Sequence, residues 1–168
     1  MHAKFAVFLE VTAALNRLGV TPILYGSLGA SRHTAIRAIE DVDIIIPDLW
    51  LGKRFPALKR CMARIGFRQD DTFPHEFTNG RYQIGFEPRS ELRSDLGIRP
   101  KRLRTTEVNG SRFRELSLAD YRRVYRNVLE LQERKMSRTR SILAALERPK
   151  CRAAPSRTSA LASTNESR

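Results

Sequence analysis

Two Asn-Gly pairs constrain the fold of this chain more than any other local feature. They lie within strand-like segments at residues 75–86 (HEFTNGRYQIGF) and 105–113 (TTEVNGSRF). A type I′ turn needs positive φ at both central residues, so Asn-Gly between such runs predicts a β-hairpin. We therefore expect turns at Asn79-Gly80 and Asn109-Gly110. Pairing across the first turn would set Glu76 opposite Gln83.

Hydrophobic spacing adds helices and further strands to these hairpins. Amphipathic helices are predicted over 4–18 and 55–65, and short buried strands over 21–25 and 41–46. A Ser-x-x-Asp capping box at Ser117 and Asp120 opens a long helix, for which we expect a break near Ser137. The order of elements predicts an α+β domain, a mixed α/β sheet flanked by helices, with a basic helical C-terminal end.

The last residues differ in composition from the rest of the chain. From residue 148 onward the sequence is rich in Ser, Ala, Pro, Thr and Arg, and Leu161 is its one large apolar residue. Such a segment cannot bury enough apolar surface to fold. We predict one domain over 1–147 and a disordered basic tail over 148–168.

Positive charge is concentrated in the second half. The formal net charge is +13, and residues 89–168 carry 20 Lys and Arg against 9 Asp and Glu. An anionic partner, nucleic acid or a phosphate-rich ligand, is one interpretation of this excess. A solvated, arginine-rich surface is the other, and composition alone leaves both open.

Several classes of protein are disfavoured by the remaining composition. No stretch approaches the roughly 18 apolar residues of a membrane span, and the apolar run at 5–9 is too short for a signal peptide. Cys61 and Cys151 are too few and too distant for a disulfide scaffold or a cysteine zinc site. We therefore expect no membrane partner and a cytoplasmic location.

Two acidic residues lie on one face of the strand at 41–46. Side chains alternate along a strand, so Asp41 and Asp43 point to the same side. Close carboxylates raise each other's pKa unless a cation lies between them, and ligands that are all oxygen favour Mg²⁺. Taken alone, the pair is more typical of solvent-facing acids at the end of a strand.

A glycine-serine turn follows the preceding strand. Gly26-Ser27 comes directly after the run TPILY. Glycine allows close backbone approach, and turn amides with a serine hydroxyl can hold phosphate. The sequence is neither a P-loop nor a dinucleotide-binding fingerprint, and Gly-Ser alone is usually only a turn.

Together the two motifs are more specific. Gly-Ser, then thirteen residues (28–40), then Asp-hydrophobic-Asp-hydrophobic resembles the signature of the nucleotidyltransferase superfamily, the polymerase-β-like fold. The layout around it is similar to small bacterial members, the minimal, lincosamide-modifying and AbiEii-like transferases, and includes the Leu-Ser before the last helix. The resemblance implies that Gly26 and Ser27 bind nucleotide phosphates and that Asp41 and Asp43 hold Mg²⁺. Arg32 or Arg37 would meet triphosphate charge, with the ordinary surface arginine as the alternative for each.

The chain departs from the family at the third carboxylate. The family usually carries this acid on the second strand of the hairpin, and the matching position here is Gly85. Glu87 shares the face of Gly85 two residues further on, and Glu76 on the neighbouring strand shares it too. Either could serve as metal ligand or general base. His75 is expected to pack beside Phe77, and a role as catalytic base is the alternative that the resemblance leaves open.

Three functions remain open from the sequence. The first is Mg²⁺-dependent transfer of a nucleoside monophosphate from an NTP, ATP among the candidates, to a hydroxyl or amine of a small molecule, protein or RNA. Asp41, Asp43 and Glu87 would be catalytic. The second is a degenerate nucleotidyltransferase-fold protein that binds nucleic acid through its basic half, around residues 99–104. The third is a toxin–antitoxin-type regulatory module with its interface on the helical segment 118–146.

Overall fold

The computed structural model describes residues 3–35, 41–131 and 136–147, which form six α-helices and a seven-stranded sheet. The helices are α1 (Ala3–Arg17), α2 (Gly26–Ser31), α3 (Phe55–Arg64), α4 (Arg89–Ser94), α5 (Leu118–Leu131) and α6 (Met136–Glu147). The strands are β1 (Ile23–Leu24), β2 (Val42–Ile46), β3 (Arg68–Gln69), β4 (Glu76–Thr78), β5 (Gln83–Pro88), β6 (Arg104–Val108) and β7 (Ser111–Glu115). Two 3₁₀ turns lie at Asp48–Trp50 and Pro100–Arg102.

The sheet is mixed, with the strand order β3-β4-β5-β2-β1-β7-β6. The pairs β1–β7 and β2–β5 are parallel, and the remaining pairs are antiparallel. The two hairpins, β4–β5 and β6–β7, therefore lie on opposite sides of the central pair β1–β2. The predicted fold class, an α+β domain with helices against a mixed sheet, is confirmed.

Apolar side chains pack on both faces of this sheet. Leu24 and Ile44 belong to a hydrophobic cluster with residues of α1 and α3. Their strand neighbours Ile23 and Ile45 belong to a second cluster with residues of α4, α5 and α6. Strand alternation sends successive residues to opposite faces, and each fully buried Ile or Leu stabilises the fold by roughly 1.5–3 kcal/mol. Asp43 falls on the Ile45 face.

The second hairpin and the capping box have the predicted form. Asn109 and Gly110 have φ of +50° and +74°, and Val108 pairs with Ser111 across them. At the start of α5, the Asp120 amide donates to the Ser117 hydroxyl at 3.1 Å, and the Ser117 amide donates to the Asp120 carboxylate at 3.1 Å. The geometry of the turn and of the capping box depends only on residues within each motif, which explains why both could be predicted from the sequence.

The first hairpin is not the predicted two-residue turn. Its loop spans the four residues 79–82, because the Asn79 side chain accepts hydrogen bonds from the amides of Arg81 and Tyr82 at 3.0 and 2.9 Å. Gly80 has φ of +84°, whereas Asn79 does not have positive φ. The longer loop shifts the register, so Glu76 lies opposite Gly85 and the expected pairing with Gln83 is wrong.

Other boundaries differ in detail. The predicted helices at 4–18 and 55–65 are confirmed as α1 and α3. The C-terminal helical segment is described as α5 up to Leu131 and as α6 from Met136, which contains Ser137, and residues 132–135 lie outside the described residues. The predicted tail over 148–168 lies outside the described residues. None of the helices in the described ranges combines the length and apolar character that a bilayer span requires.

Candidate active site

Strand pairing joins two motifs that are separated by thirteen residues. β1 and β2 are antiparallel, with Leu24 opposite Ile44. At the next position, the Tyr25 amide donates to the Asp43 carbonyl at 3.1 Å. Gly26-Ser27, which begins α2, therefore lies directly beside the Asp-x-Asp strand. Ser27 is buried in the first turn of that helix.

The Asp43 carboxylate occupies a slot between two glycine backbones. A Cβ built on Gly26 would lie 1.8 Å from Oδ2 of Asp43, and a Cβ on Gly85 would lie 3.3 Å from Oδ1. Gly26 also has φ of +61°, a region that side chains with a Cβ rarely adopt. Only glycine fits at position 26, both sterically and conformationally.

Four carboxylates line one cavity beside this slot. The cavity has a volume of about 200 Å³, and its lining consists of Asp41, Asp43, Phe73, Pro74, His75, Glu76, Gly85, Phe86 and Glu87. Asp41 immediately precedes β2, and Asp43 is within it. The structure therefore brings the predicted residues Asp41, Asp43 and Glu87 to one cavity and places Gly26 against Asp43.

The third-acid position lies at the centre of a row across three strands. Asp43 on β2 pairs with Gly85 on β5, and Gly85 pairs with Glu76 on β4. Glu87 is two residues further along β5 and pairs with Ile45. Gly85 has no side chain between Asp43 and Glu76, and the Asp43 carboxylate lies against its backbone. The side chain of Gln83 donates to Glu76.

The electrostatics of Glu87 are unusual for a glutamate. Burial, together with the nearby carboxylates of Glu91, Asp43 and Glu76, raises its pKa from 4.5 to about 7. Protonated Glu87 donates a side-chain hydrogen bond to the carboxylate of Glu91. A carboxyl that changes protonation near neutral pH is suited to accept a proton from an attacking hydroxyl.

This shift predicts how the stability of the metal-free protein depends on pH. The folded protein retains the Glu87 proton to about pH 7, whereas an unfolded chain releases it near the ordinary value of 4.5. The unfolded state thus binds fewer protons between these values, so the Glu87 contribution to the free energy of unfolding falls as pH rises through this window and is constant above it. Urea unfolding across that range should show the decline in wild type and a smaller one in Glu87→Gln. Parallel curves for the two proteins would contradict the shift.

Two other predicted residues have partners in the fold. The Arg32 guanidinium forms an ion pair with Glu115, with Nε 2.6 Å from Oε1, and lies 4.7 Å from the centre of the Phe5 ring. As a phosphate ligand, Arg32 remains a prediction, and Arg37 lies outside the described residues. The His75 ring packs edge-on against Phe55 with centroids 5.6 Å apart, as the packed interpretation expected, although His75 also lines the carboxylate cavity.

The structure adds residues to the site that sequence patterns did not indicate. Tyr25 is half-buried, and burial with the charges of Glu87 and Asp43 raises its pKa. Phe73 is 53% exposed at the cavity. Tyr121 stabilises the chain just before the Gly-Ser turn, since its hydroxyl donates to the Leu24 carbonyl at 2.9 Å. An exposed aromatic in a polar loop was the one available signal, at Phe73.

The carboxylates at the cavity can be compared with the ligands that Mg²⁺ uses in proteins. Among the described residues, no three His, Cys, Asp or Glu side chains converge closely enough to hold a metal ion by themselves. Mg²⁺ is commonly bound by one or two carboxylates together with water and substrate phosphates rather than by a cage of protein ligands. Asp41 and Asp43, which line the cavity, offer the carboxylate oxygens that this second mode requires.

Comparison with known proteins supports the fold. No family model matches the sequence. The chain is 29% identical over 124 residues to the uncharacterised protein YnaI of Bacillus subtilis strain 168, covering 73% of this chain and 80% of YnaI. It is also similar to the solution structure of the antibiotic-resistance factor ANT(2'')-Ia, with a TM-score of 0.56, 15% identity, and coverage of 86% of this chain and 84% of the other.

A crystal structure of ANT(2'')-Ia in complex with adenylyl-2''-tobramycin is similar as well. Its TM-score is 0.50 at 14% identity, with 88% of this chain and 98% of that chain covered. The chain therefore shares the fold of ANT(2'')-Ia. The narrower resemblance to the small bacterial members remains a prediction.

Proposed function

We propose that this chain is a Mg²⁺-dependent nucleotidyltransferase that moves a nucleoside monophosphate from an NTP to a hydroxyl or amine acceptor. The observation that carries the proposal is the close contact between the Gly26 backbone and the Asp43 carboxylate. This contact lies beside a cavity that is also lined by Asp41, Glu76 and Glu87. A turn that can accept phosphate and a pair of carboxylates are thereby neighbours in space. The fold shared with ANT(2'')-Ia supports the same reaction class.

Each residue has a definite role in this proposal. Gly26 and Ser27 bind the phosphates of the NTP, while Asp41 and Asp43 hold Mg²⁺ together with phosphate oxygens. When bound, Mg²⁺ supplies charge neutralisation and polarisation at the α-phosphate. Glu87, or Glu76 in its place, accepts the proton of the acceptor. The acceptor oxygen or nitrogen forms a bond to the α-phosphorus, the bond to the bridging oxygen breaks, and pyrophosphate leaves.

The proposal is tested by nucleotide-dependent stability. We expect an NTP at about 100 times its dissociation constant to raise the free energy of unfolding by about 2.7 kcal/mol when Mg²⁺ is present. Mg²⁺ alone should have little effect, because the two aspartates need phosphate oxygens to complete the ligand set. Asp43→Asn should remove the gain. Glu107→Gln, an exposed acid on β6 at the edge of the sheet away from β4 and β5, is the matched control.

Two results would contradict the proposed function. One is the absence of stabilisation by any NTP with Mg²⁺, which is what a degenerate site would give. The other is a gain that persists in Asp43→Asn, because the nucleotide would then bind elsewhere. Location in the cytoplasm is also part of the proposal, and the low cysteine content supports it.

A further inference from the structure

A second, strongly basic surface includes residues of α4, the helix that follows the strand of Glu87. It includes a groove of about 1100 Å³ whose charged lining comprises five cations and one acid. These charged residues are Arg89, Arg93, Arg99, Lys101, Arg102 and Asp48. The proposed nucleotide chemistry uses none of them.

The groove continues along the protein. A smaller cavity shares Arg99 and Arg102 with the groove and extends to Arg123 on α5. A third cavity shares Arg123 and extends to Arg126. The basic surface is therefore elongated, and its length suits a polymer with repeated negative charges better than a single phosphate.

Positive charge is in excess on this surface. Among the described residues, no ion pair engages any of the five cations of the groove. The three cavities together are lined by seven cations and three acids, Asp48, Asp95 and Asp120. A surface with such an excess of cations attracts polyanions and releases counterions on binding.

One arginine of the groove is held in an unfavourable setting. Arg89 is half-buried, its Nε is enclosed without a hydrogen-bond partner in the described structure, and Arg114 and Asp48 are its charged neighbours. Burial and the second guanidinium lower the pKa of Arg89, whereas Asp48 acts in the opposite direction. An anion bound in the groove would add to the negative charge of Asp48 near Arg89.

The groove adjoins the carboxylate cavity through α4. Arg89 follows Glu87 by two residues, about 7 Å of extended chain. The same helix directs Glu91 toward Glu87 and Arg93 toward the groove. A strand held in the groove would thus have a segment or an end beside the proposed general base.

We propose that this groove binds the phosphate backbone of a nucleic acid, and that a nucleic-acid hydroxyl is the acceptor of the transfer. The second clause depends on the proposed function, whereas the first does not. Cations along an elongated groove match a phosphodiester chain. They would repel a polyamine sugar such as the tobramycin in the ANT(2'')-Ia complex.

Binding is tested with fluorescein-labelled RNA and DNA 20-mers of one sequence between 50 and 200 mM KCl. We expect a logarithmic affinity that falls linearly with the logarithm of salt concentration. The double charge reversal Arg93→Glu/Arg102→Glu should weaken binding by at least about tenfold and reduce the slope by about two. Both side chains are exposed and make no hydrogen bond in the described structure, so the variant should fold. Arg60→Glu/Arg64→Glu on α3 carries the same charge change at another exposed surface and should bind as wild type.

The outcomes separate the two proposals. Equal binding by the groove variant and the α3 control would overturn the groove site. So would equally tight binding of polyglutamate or anionic vesicles.

The acceptor assignment has its own test, labelling of RNA or DNA from α-³²P-NTP. Labelling that is reduced in the groove variant, while NTP-dependent stabilisation is retained, supports the assignment. If NTP stabilises the protein and nucleic acid binds, but no nucleic acid is labelled, only the acceptor assignment is overturned. If NTP does not stabilise the wild-type protein, the proposed function itself is wrong.

Discussion

Replacing Gly26 with alanine is expected to abolish NTP-dependent stabilisation and to destabilise the fold. A non-glycine residue in left-handed backbone geometry costs about 1–2 kcal/mol, and Gly26 has φ of +61°. Its Cβ would also lie 1.8 Å from Oδ2 of Asp43, so the carboxylate or the turn must move. The loss of stability should therefore exceed the backbone cost, and the displaced Asp43 should no longer hold Mg²⁺ with the nucleotide.

Gly19→Ala provides the matched control for this substitution. Gly19 has φ of +75°, close to that of Gly26, but no atom lies within 4 Å of a Cβ built on it. Urea unfolding of the two variants separates backbone strain from the clash with Asp43. Equal destabilisation, together with normal NTP stabilisation in Gly26→Ala, would show that the close approach of the two motifs does not matter.

The adjacency of these motifs was the part of the site that the sequence could predict. Gly26-Ser27 follows one strand and Asp41-Val42-Asp43 opens the next, and antiparallel pairing of β1 with β2 is enough to bring them together. Alternation along β2 then puts Asp43 on a different face from the core residues Val42 and Ile44. Each inference needed only local periodicity and the family resemblance.

Contacts between distant parts of the chain were not predictable in the same way. Arg32 lies in the stretch between the motifs, where a phosphate ligand is plausible, yet its partner Glu115 comes from β7. The predicted register of the β4–β5 hairpin was wrong for a related reason. The Asn79 side chain accepts hydrogen bonds from two loop amides, and the loop is longer than the expected two-residue turn. Side-chain hydrogen bonds of this kind compete with the two-residue turn. The Asn-Gly dipeptide is compatible with both and does not indicate which of the two forms.

Composition located the positive charge but not its arrangement. The excess after Glu87 was evident from residue counts. The groove itself depends on α4, a six-residue helix that hydrophobic spacing did not indicate, and on the 3₁₀ turn at Pro100–Arg102. These short elements bury few residues, so they carry little periodic signal.

Glu87→Gln is expected to lower the rate of pyrophosphate release by about 10²–10⁴-fold, the usual contribution of a general base. Glu87 is half-buried, it interacts with the Asp43 carboxylate, and its pKa of about 7 allows it to accept a proton near neutral pH. Glutamine keeps the size of the side chain but cannot take up the proton. NTP-dependent stabilisation should remain, because the proposed metal ligands are Asp41 and Asp43.

Glu76→Gln is the discriminating comparison, because Glu76 also lines the cavity and lies directly opposite Gly85. Its carboxylate already accepts a hydrogen bond from Gln83, so we expect its replacement to reduce the rate much less than Glu87→Gln does. Single-turnover rates at saturating NTP and Mg²⁺, with the labelled RNA as acceptor, measure both variants in the same step. A larger loss in Glu76→Gln would assign the role of base to Glu76 on β4, opposite Gly85. Unchanged rates in both variants would mean that neither glutamate replaces the missing acid.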